Sequence, residues 1–477
     1  MKRMLRLFPL WMVLLAFALI FLSTATATAK HSNQGYIYGK VSTRSGNTYT
    51  GLLRWDDEEA FWDDLFHSYK ENRPYGDYLE KHSSTSKREV RALERTIDKL
   101  ERKARNLEKK AARAKDRDAE DKLLEEVEAV EEELEAYYEE MEEVEDIYGY
   151  SNVSVLGGAL NINWNEWSTG SRIFICRFGD IKKIEVIGSE DAELTMKNGS
   201  VYTVSGYSND VGGKIVVEDN GLGQIELDWR RIDMIEFMDT PKNVEPVGYR
   251  LHGTLFTDAG EFKGYIQWDS EECLSTDVLD GDSEDGELSL AFKKIRSIER
   301  RSKSSSYVTL KDGRRIHMEG SNDVDGSIRG IMIEDARYGR MKVPWDSFDK
   351  LVLDDKGDSG MGYNDYVKPK ELSGTITDED GNTTTGRIIF DLDEGETWEI
   401  LNGDMFDVEF NIPFGSVKIM KPRSRNSTVV ELRNGESLRL EGGQDVTQSN
   451  DGVLVFDKGE DDPTYIRWGS IEKIEFK

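Results

Sequence analysis

Acidic side chains follow an aromatic residue at three places in this chain with the same spacing. They are Asp56, Glu58 and Glu59 after Trp55; Asp269, Glu271 and Glu272 after Trp268; and Asp391, Asp393 and Glu394 after Phe390. Clustered carboxylates are hard oxygen ligands, and the cation they suit is Ca²⁺. The same residues also read as solvated loop charges, with the leading Asp holding a turn. The turn reading is preferred, so no cofactor is expected beyond Ca²⁺ at these clusters.

A second polar pattern recurs at Ser208-Asn209-Asp210-Val211, Ser321-Asn322-Asp323-Val324 and Gly443-Gln444-Asp445-Val446. Asn and Asp side chains cap backbone groups at strand exits, and turn-holding is preferred here to a ligand pocket shared by the three equivalent places. The run Asp280–Gly286 fails as an EF-hand loop, because its glycine is misplaced and position twelve falls on Ala291. The five histidines, His31, His67, His82, His252 and His317, share no metal-ligand spacing. Gly357-Asp358-Ser359-Gly360 matches the tetrapeptide around the nucleophile of trypsin-like proteases, yet nothing else of that pattern accompanies it. It reads as a flexible connector. No nucleophile with an oriented base can be nominated, so the chain is expected not to be an enzyme. Trp62, Trp164, Trp167 and Trp398 could stack on sugars; covering the ends of barrels is the preferred alternative. Cys176 and Cys273 either bridge neighbouring units or remain buried thiols, and the second is favoured.

The elements that position these residues repeat. Six times an aromatic is followed by aliphatics at spacing three: Phe178-Ile181-Ile184, Trp229-Ile232-Ile235, Phe292-Ile295-Ile298, Trp345-Phe348-Leu351, Phe414-Val417-Met420 and Trp468-Ile471-Ile474. This spacing fits a strand end, one 3₁₀ turn and the start of a closing strand, with all three side chains inward. Asn198-Gly199, Asp312-Gly313 and Asn434-Gly435 mark hairpin tips, where a type I′ turn is expected. The fold class that follows is mainly β, with three tandem pairs of small SH3-like or Sm-like barrels and a long coiled-coil hairpin inserted in the first barrel. The expected boundaries are a signal peptide at 1–29, a split first barrel at 30–77 and 149–186, and the helical insertion at 78–148. Further barrels span 187–238, 249–301, 302–353, 371–421 and 422–477, with linkers at 239–248 and 354–370.

The insertion rests on a count: Trp55 and Phe178 lie 123 residues apart, whereas Trp268–Phe292 and Phe390–Phe414 are each separated by 24. Leu93, Ile97, Leu100 and Leu107 keep a heptad-like seam in its first part, and Val127, Leu134 and Met141 keep another in its second. A basic arm folding back on an acidic one favours a hairpin, and the seam residues are assigned to partner binding or self-association. The arm resembles the helical hairpin of periplasmic adaptor subunits, although the threefold repeat is not their layout.

Net charge sets the remaining limits. With 63 basic and 93 acidic residues the chain carries −30, which repels nucleic acid and anionic lipid. Lys2, Arg3 and Arg6 precede the apolar run 7–22, and Ala25-Thr26-Ala27-Thr28-Ala29 offers cleavage sites. That is the layout of a secretory signal. No membrane span is expected after cleavage, and the mature chain is expected in the periplasm, at the outer-membrane surface or secreted. The expected function is an exported, non-enzymatic scaffold or binding protein acting on a protein partner or on a second copy through the arm. The alternative is a hydrolase or binder of envelope polymers that uses the acidic clusters and tryptophans.

Overall fold

A computed structural model describes residues 33–56, 58–70, 75, 87–112, 122–127, 129, 130, 133, 134, 137, 172–206, 210–246, 248–355, 358–366, 369–457 and 462–477. The expected signal peptide, the segment 149–170 with Trp164 and Trp167, and Met141 lie outside these residues. So do His31, His82, Ser208, Asn209 and Gly357.

Ten strands build the first repeat unit. They are β1 (Tyr38–Thr43), β2 (Thr48–Trp55), β3 (Leu65–Lys70), β4 (Arg172–Arg177), β5 (Ile181–Val186), β6 (Asp191–Met196), β7 (Val201–Ser205), β8 (Lys214–Asp219), β9 (Gly223–Asp228) and β10 (Ile232–Phe237). All pairings among them are antiparallel, in the order β4-β3-β7-β6-β5-β10-β1-β2-β8-β9. The strands of residues 252–353 and of 373–476 repeat the same pairings. These last two units are continuous, because strand Gly339–Val343 pairs with strand Val408–Pro413 in the register Arg340↔Asn411.

This overturns the expectation of six closed SH3-like or Sm-like barrels. The hairpin β1–β2 pairs not with β5 but with β10 and β8, which come from the other half of the unit. Strand β5 pairs with β6 instead, and β3 with β7, while β4 sits at the edge beside β3. Each half therefore lends strands to the other, and the closing strands β5 and β10 meet at the centre of one sheet. The result is one open ten-stranded sheet and one open twenty-stranded sheet.

The long projecting coiled-coil hairpin is corrected as well. The helix α1 (Lys87–Ala112) lies along the third unit. Its Glu101 bonds Asn426, Lys109 pairs with Asp407, and Arg105 lies 3.7 Å from Glu441. Ile97, Leu100, Ala104 and Leu107 pack with Val127, Val130 and Leu134 in a short apolar seam. A helix tied down by its charged face does not act as a free arm, and no long coiled coil is found among the described residues. None of the described helices is long and apolar enough to cross a membrane.

The aromatic closers do what their spacing implies. All six aromatics open a 3₁₀ turn, and all eighteen closer side chains are buried. Aromatics bury large areas and dominate such cores. At the hairpin tips Gly199, Gly313 and Gly435 take φ of 96°, 94° and 96°. The preceding Asn or Asp does not share the positive φ that a type I′ turn requires of both residues. Its side chain instead accepts the amide two residues on, from Ser200, Arg314 or Glu436. Cys176 and Cys273 are both buried and free.

Candidate functional site

The acidic clusters sit on one tight turn made three times. Trp55, Trp268 and Phe390 each donate their amide to the Glu four residues on, whose own amide returns to the aromatic carbonyl. The Asp after each aromatic is forced into the left-handed region, with φ of 43°, 49° and 48° at Asp56, Asp269 and Asp391. This conformation turns the Asp carboxylate back over the sheet, and Asp269 and Asp391 are buried. Asp tolerates the left-handed region better than most residues because it bonds locally.

Two further carboxylates complete each copy. Asp210, Asp323 and Asp445 accept the amides of His67, Asp280 and Asn402 at 2.6, 2.7 and 2.7 Å. Turn-holding is thus what these residues do. Asp64, Asp277 and Glu399 stand nine residues after the aromatic and accept two loop amides each, such as Cys273 and Leu274 at 3.0 and 2.9 Å. The sequence reading passed over this last trio, although the constant spacing of nine was there to be found.

Each carboxylate of that trio also takes a cation from another unit. Arg54 of the first unit holds Asp277 through two bonds of 3.0 Å. Arg340 of the second unit holds Asp64 at 2.9 Å. Lys70 of the first unit reaches Glu399 at 3.2 Å and Asp393 at 2.8 Å. Buried Arg250 adds Asp63 at 2.7 Å and stacks 4.1 Å from the Phe61 ring. Charges withdrawn from water this way are costly to unpair.

The three acidic clusters differ in surroundings. In the first, Asp56 is partly exposed, Glu59 is buried, and Asp210 faces His67. In the second, Arg329 bonds Asp269 at 2.9 Å and Glu271 at 2.6 Å. In the third, an oxygen from each of Asp391, Glu394 and Asp445 lies within 4.8 Å of the others. It is the one such group of three metal-ligating side chains among the described residues. Arg172 serves Asp391 at 3.1 Å and also bonds Asp451. Of the expected site residues, the structure brings together Asp391 and Glu394, with Asp393 alongside.

Burial dominates the electrostatics here. It pushes Asp391 and Glu394 well above the usual carboxylate range and Asp445 up to about 7. In the second unit, burial raises Glu272 to about 9 and Asp323 to about 6; in the first it raises Glu58 to about 7 and Glu59 well upward. One oxygen of Glu59, of Glu272 and of Glu394 is sealed from solvent with no hydrogen-bond partner. Buried polar atoms left in this state are uncommon.

The remaining candidates take structural places. Trp62 and Trp398 are buried, Trp62 lying 4.6 Å from the Tyr363 ring and Trp398 5.7 Å from Phe174. Neither presents an open face to a sugar. Ser359 is buried and accepts the Gly35 amide at 2.9 Å, so its segment ties units together rather than serving as a slack connector. The described histidines pair with neighbours: His67 with Asp210, His252 with Asp354, His317 with Arg301. Comparison with protein-family models, with curated proteins and with solved structures finds no match.

Proposed function

We propose that this chain is a non-enzymatic scaffold or binding protein, exported by its N-terminal segment, whose three repeat units are bolted into one body. One observation carries this reading. The carboxylate nine residues after each aromatic fastens its own loop and also takes a cation from a different unit. The carboxylates of this trio are spent on architecture. A buried, fully paired position of this kind is poorly placed to act on a substrate, because catalytic groups must reach one.

The test sets the scaffold against the hydrolase alternative. Purified full-length chain is incubated with peptidoglycan and with a casein-type protein substrate, beside the variants Asp56→Asn, Asp269→Asn and Asp391→Asn. The scaffold reading expects no turnover above buffer, together with one cooperative unfolding transition for the bolted units. Turnover that disappears in a still-folded Asp variant overturns it.

A further inference from the structure

We infer that the pocket formed by Asp391, Glu394 and Asp445 in the third unit is a binding site for a hard divalent cation, Ca²⁺. Geometry, charge and an unpartnered oxygen combine here; the unpartnered oxygen recurs at Glu59 and Glu272, whereas the geometry is found at this copy among the described residues.

The first is geometric: one oxygen from each of the three side chains lies within 4.8 Å of the others. Ca²⁺ sits 2.3–2.6 Å from its oxygen ligands, roughly what such a spread of donors requires. The donors are oxygens alone, without His or Cys, which favours hard cations over Zn²⁺ or Cu²⁺. Mg²⁺ demands near-ideal octahedral geometry and keeps several waters. The pocket is closed by fixed loops, with Asp391 in a left-handed turn and Asp445 held by the Asn402 amide. That irregular, crowded donor set suits Ca²⁺ better.

The second is charge. Facing the pocket are Asp391, Asp393 and Glu394 on the turn, Glu399 beyond it, and Asp445 and Asp451 from the facing segment. Lys70 and Arg172 are the cations that meet them. Lys70 is committed to Asp393 and Glu399, and Arg172 to Asp391 and Asp451. Glu394 and Asp445 have no direct salt bridge among the described residues, and Arg172 and Lys70 act on them only from a longer distance. Buried like charges this close cannot all stay ionised unless something neutralises them.

The third is the orphaned atom. Glu394 Oε2 is out of solvent reach and has no hydrogen-bond partner, while the Glu394 residue as a whole remains partly exposed. That sealed oxygen is a carboxylate ligand with no partner of its own. A proton on Glu394 and a cation beside it are competing ways to relieve one excess of charge. Binding therefore releases protons.

The second unit carries the equivalent Asp269, Glu272 and Asp323 but fills its pocket with Arg329, which donates to Asp269 from within the same unit. At that place in the third unit stands Asp451, whose amide likewise bonds Asp391. The internal cation of one copy is an acid in the other.

The test is calorimetric titration of CaCl₂ into EDTA-stripped full-length chain at neutral pH, with MgCl₂ and ZnCl₂ as separate arms. One saturable Ca²⁺ site is expected, with a dissociation constant on the order of 10⁻⁴–10⁻³ M, as in extracellular modules. Glu394→Gln should weaken it at least about tenfold, and Glu272→Gln should leave it unchanged. Folding is checked by near-ultraviolet circular dichroism in EDTA; if Glu394→Gln misfolds, Asp445→Asn replaces it. A flat wild-type titration up to about 10 mM, beyond the weakest such sites, overturns the assignment. So does wild-type affinity in both variants, or equal affinity for Mg²⁺.

Discussion

The second and third acidic pockets share a backbone, a turn and three carboxylates, yet they handle charge in opposite ways. In the second, Arg329 comes from the same unit and is 41% exposed at its side chain. In the third, Arg172 comes from the first unit and is 10% exposed. Arg172 and Lys70 face each other across β3 and β4, at the two points where the inserted segment leaves and rejoins the sheet. The insertion thus has a structural consequence at its base: the strand ends beneath it deliver two cations into a neighbouring unit. A repeat copies backbone geometry, but the charges that meet there decide whether a pocket is a bolt or a ligand site.

Removing the cations breaks the comparison most directly. Arg172→Ala takes the cation from the buried Asp391 and should cost about 3–5 kcal/mol at neutral pH. Arg329→Ala also strips a buried carboxylate of its cation, but Asp269 keeps the Asn322 side chain and a backbone amide, so the loss should be smaller, about 1–3 kcal/mol. Urea unfolding of both variants measures the difference, and equal losses contradict the contrast between the pockets.

Truncating a bolt comes next. Asp277→Ala takes the acceptor from the Cys273 and Leu274 amides and leaves Arg54 without this carboxylate, though still bonded to the Glu271 carbonyl, which should cost about 1–3 kcal/mol. Because Arg54 belongs to the first unit, the loss should also separate the unfolding of the first unit from that of the second. Scanning calorimetry would show this as a broadened or split transition.

The effect of pH sharpens the difference further. Burial raises Asp445 from 3.8 to about 7. A carboxyl raised on folding contributes stability below its unfolded value, and that contribution fades as pH climbs through its folded value. EDTA-treated chain should therefore lose this contribution between about pH 4 and 7, and Asp445→Asn should flatten the decline in that window. Melting temperatures against pH for both proteins check the sign. A wild-type chain that gains as much stability as the variant across that window speaks against a buried, protonated Asp445.

The smallest effect belongs to the first unit. Asp56 is partly exposed, and its bond to the Lys214 amide is long, at 3.4 Å. Asp56→Asn should change stability by about 0.5 kcal/mol or less. A larger loss in chemical denaturation would mean that the three turns are more alike than their surroundings indicate.

Much of this was legible in local spacing. The closers gave the 3₁₀ turns and the inward aromatics, because an aromatic with aliphatics at spacing three has few ways to bury all three side chains. The Asp-Val pairs gave strand exits. Strand partners were not legible: alternation shows which face of β2 is buried, but not that its neighbour is β8 rather than a strand of its own half. Six closed barrels were therefore expected where two open sheets form. Lys70 and Arg172 escaped notice because they belong to no repeat. At Asp445 turn-holding was favoured over a shared ligand pocket, since a residue bonding one amide through one oxygen leaves no sequence trace of the other.

The most direct measurement is an anomalous-difference map from crystals of the full-length chain soaked in a lanthanide, a Ca²⁺ substitute. The charge contrast between the pockets predicts one strong peak among Asp391, Glu394 and Asp445, and none at Asp269, Glu272 and Asp323, where Arg329 already stands. A peak in the second pocket, or peaks only on exposed surface carboxylates, would contradict it.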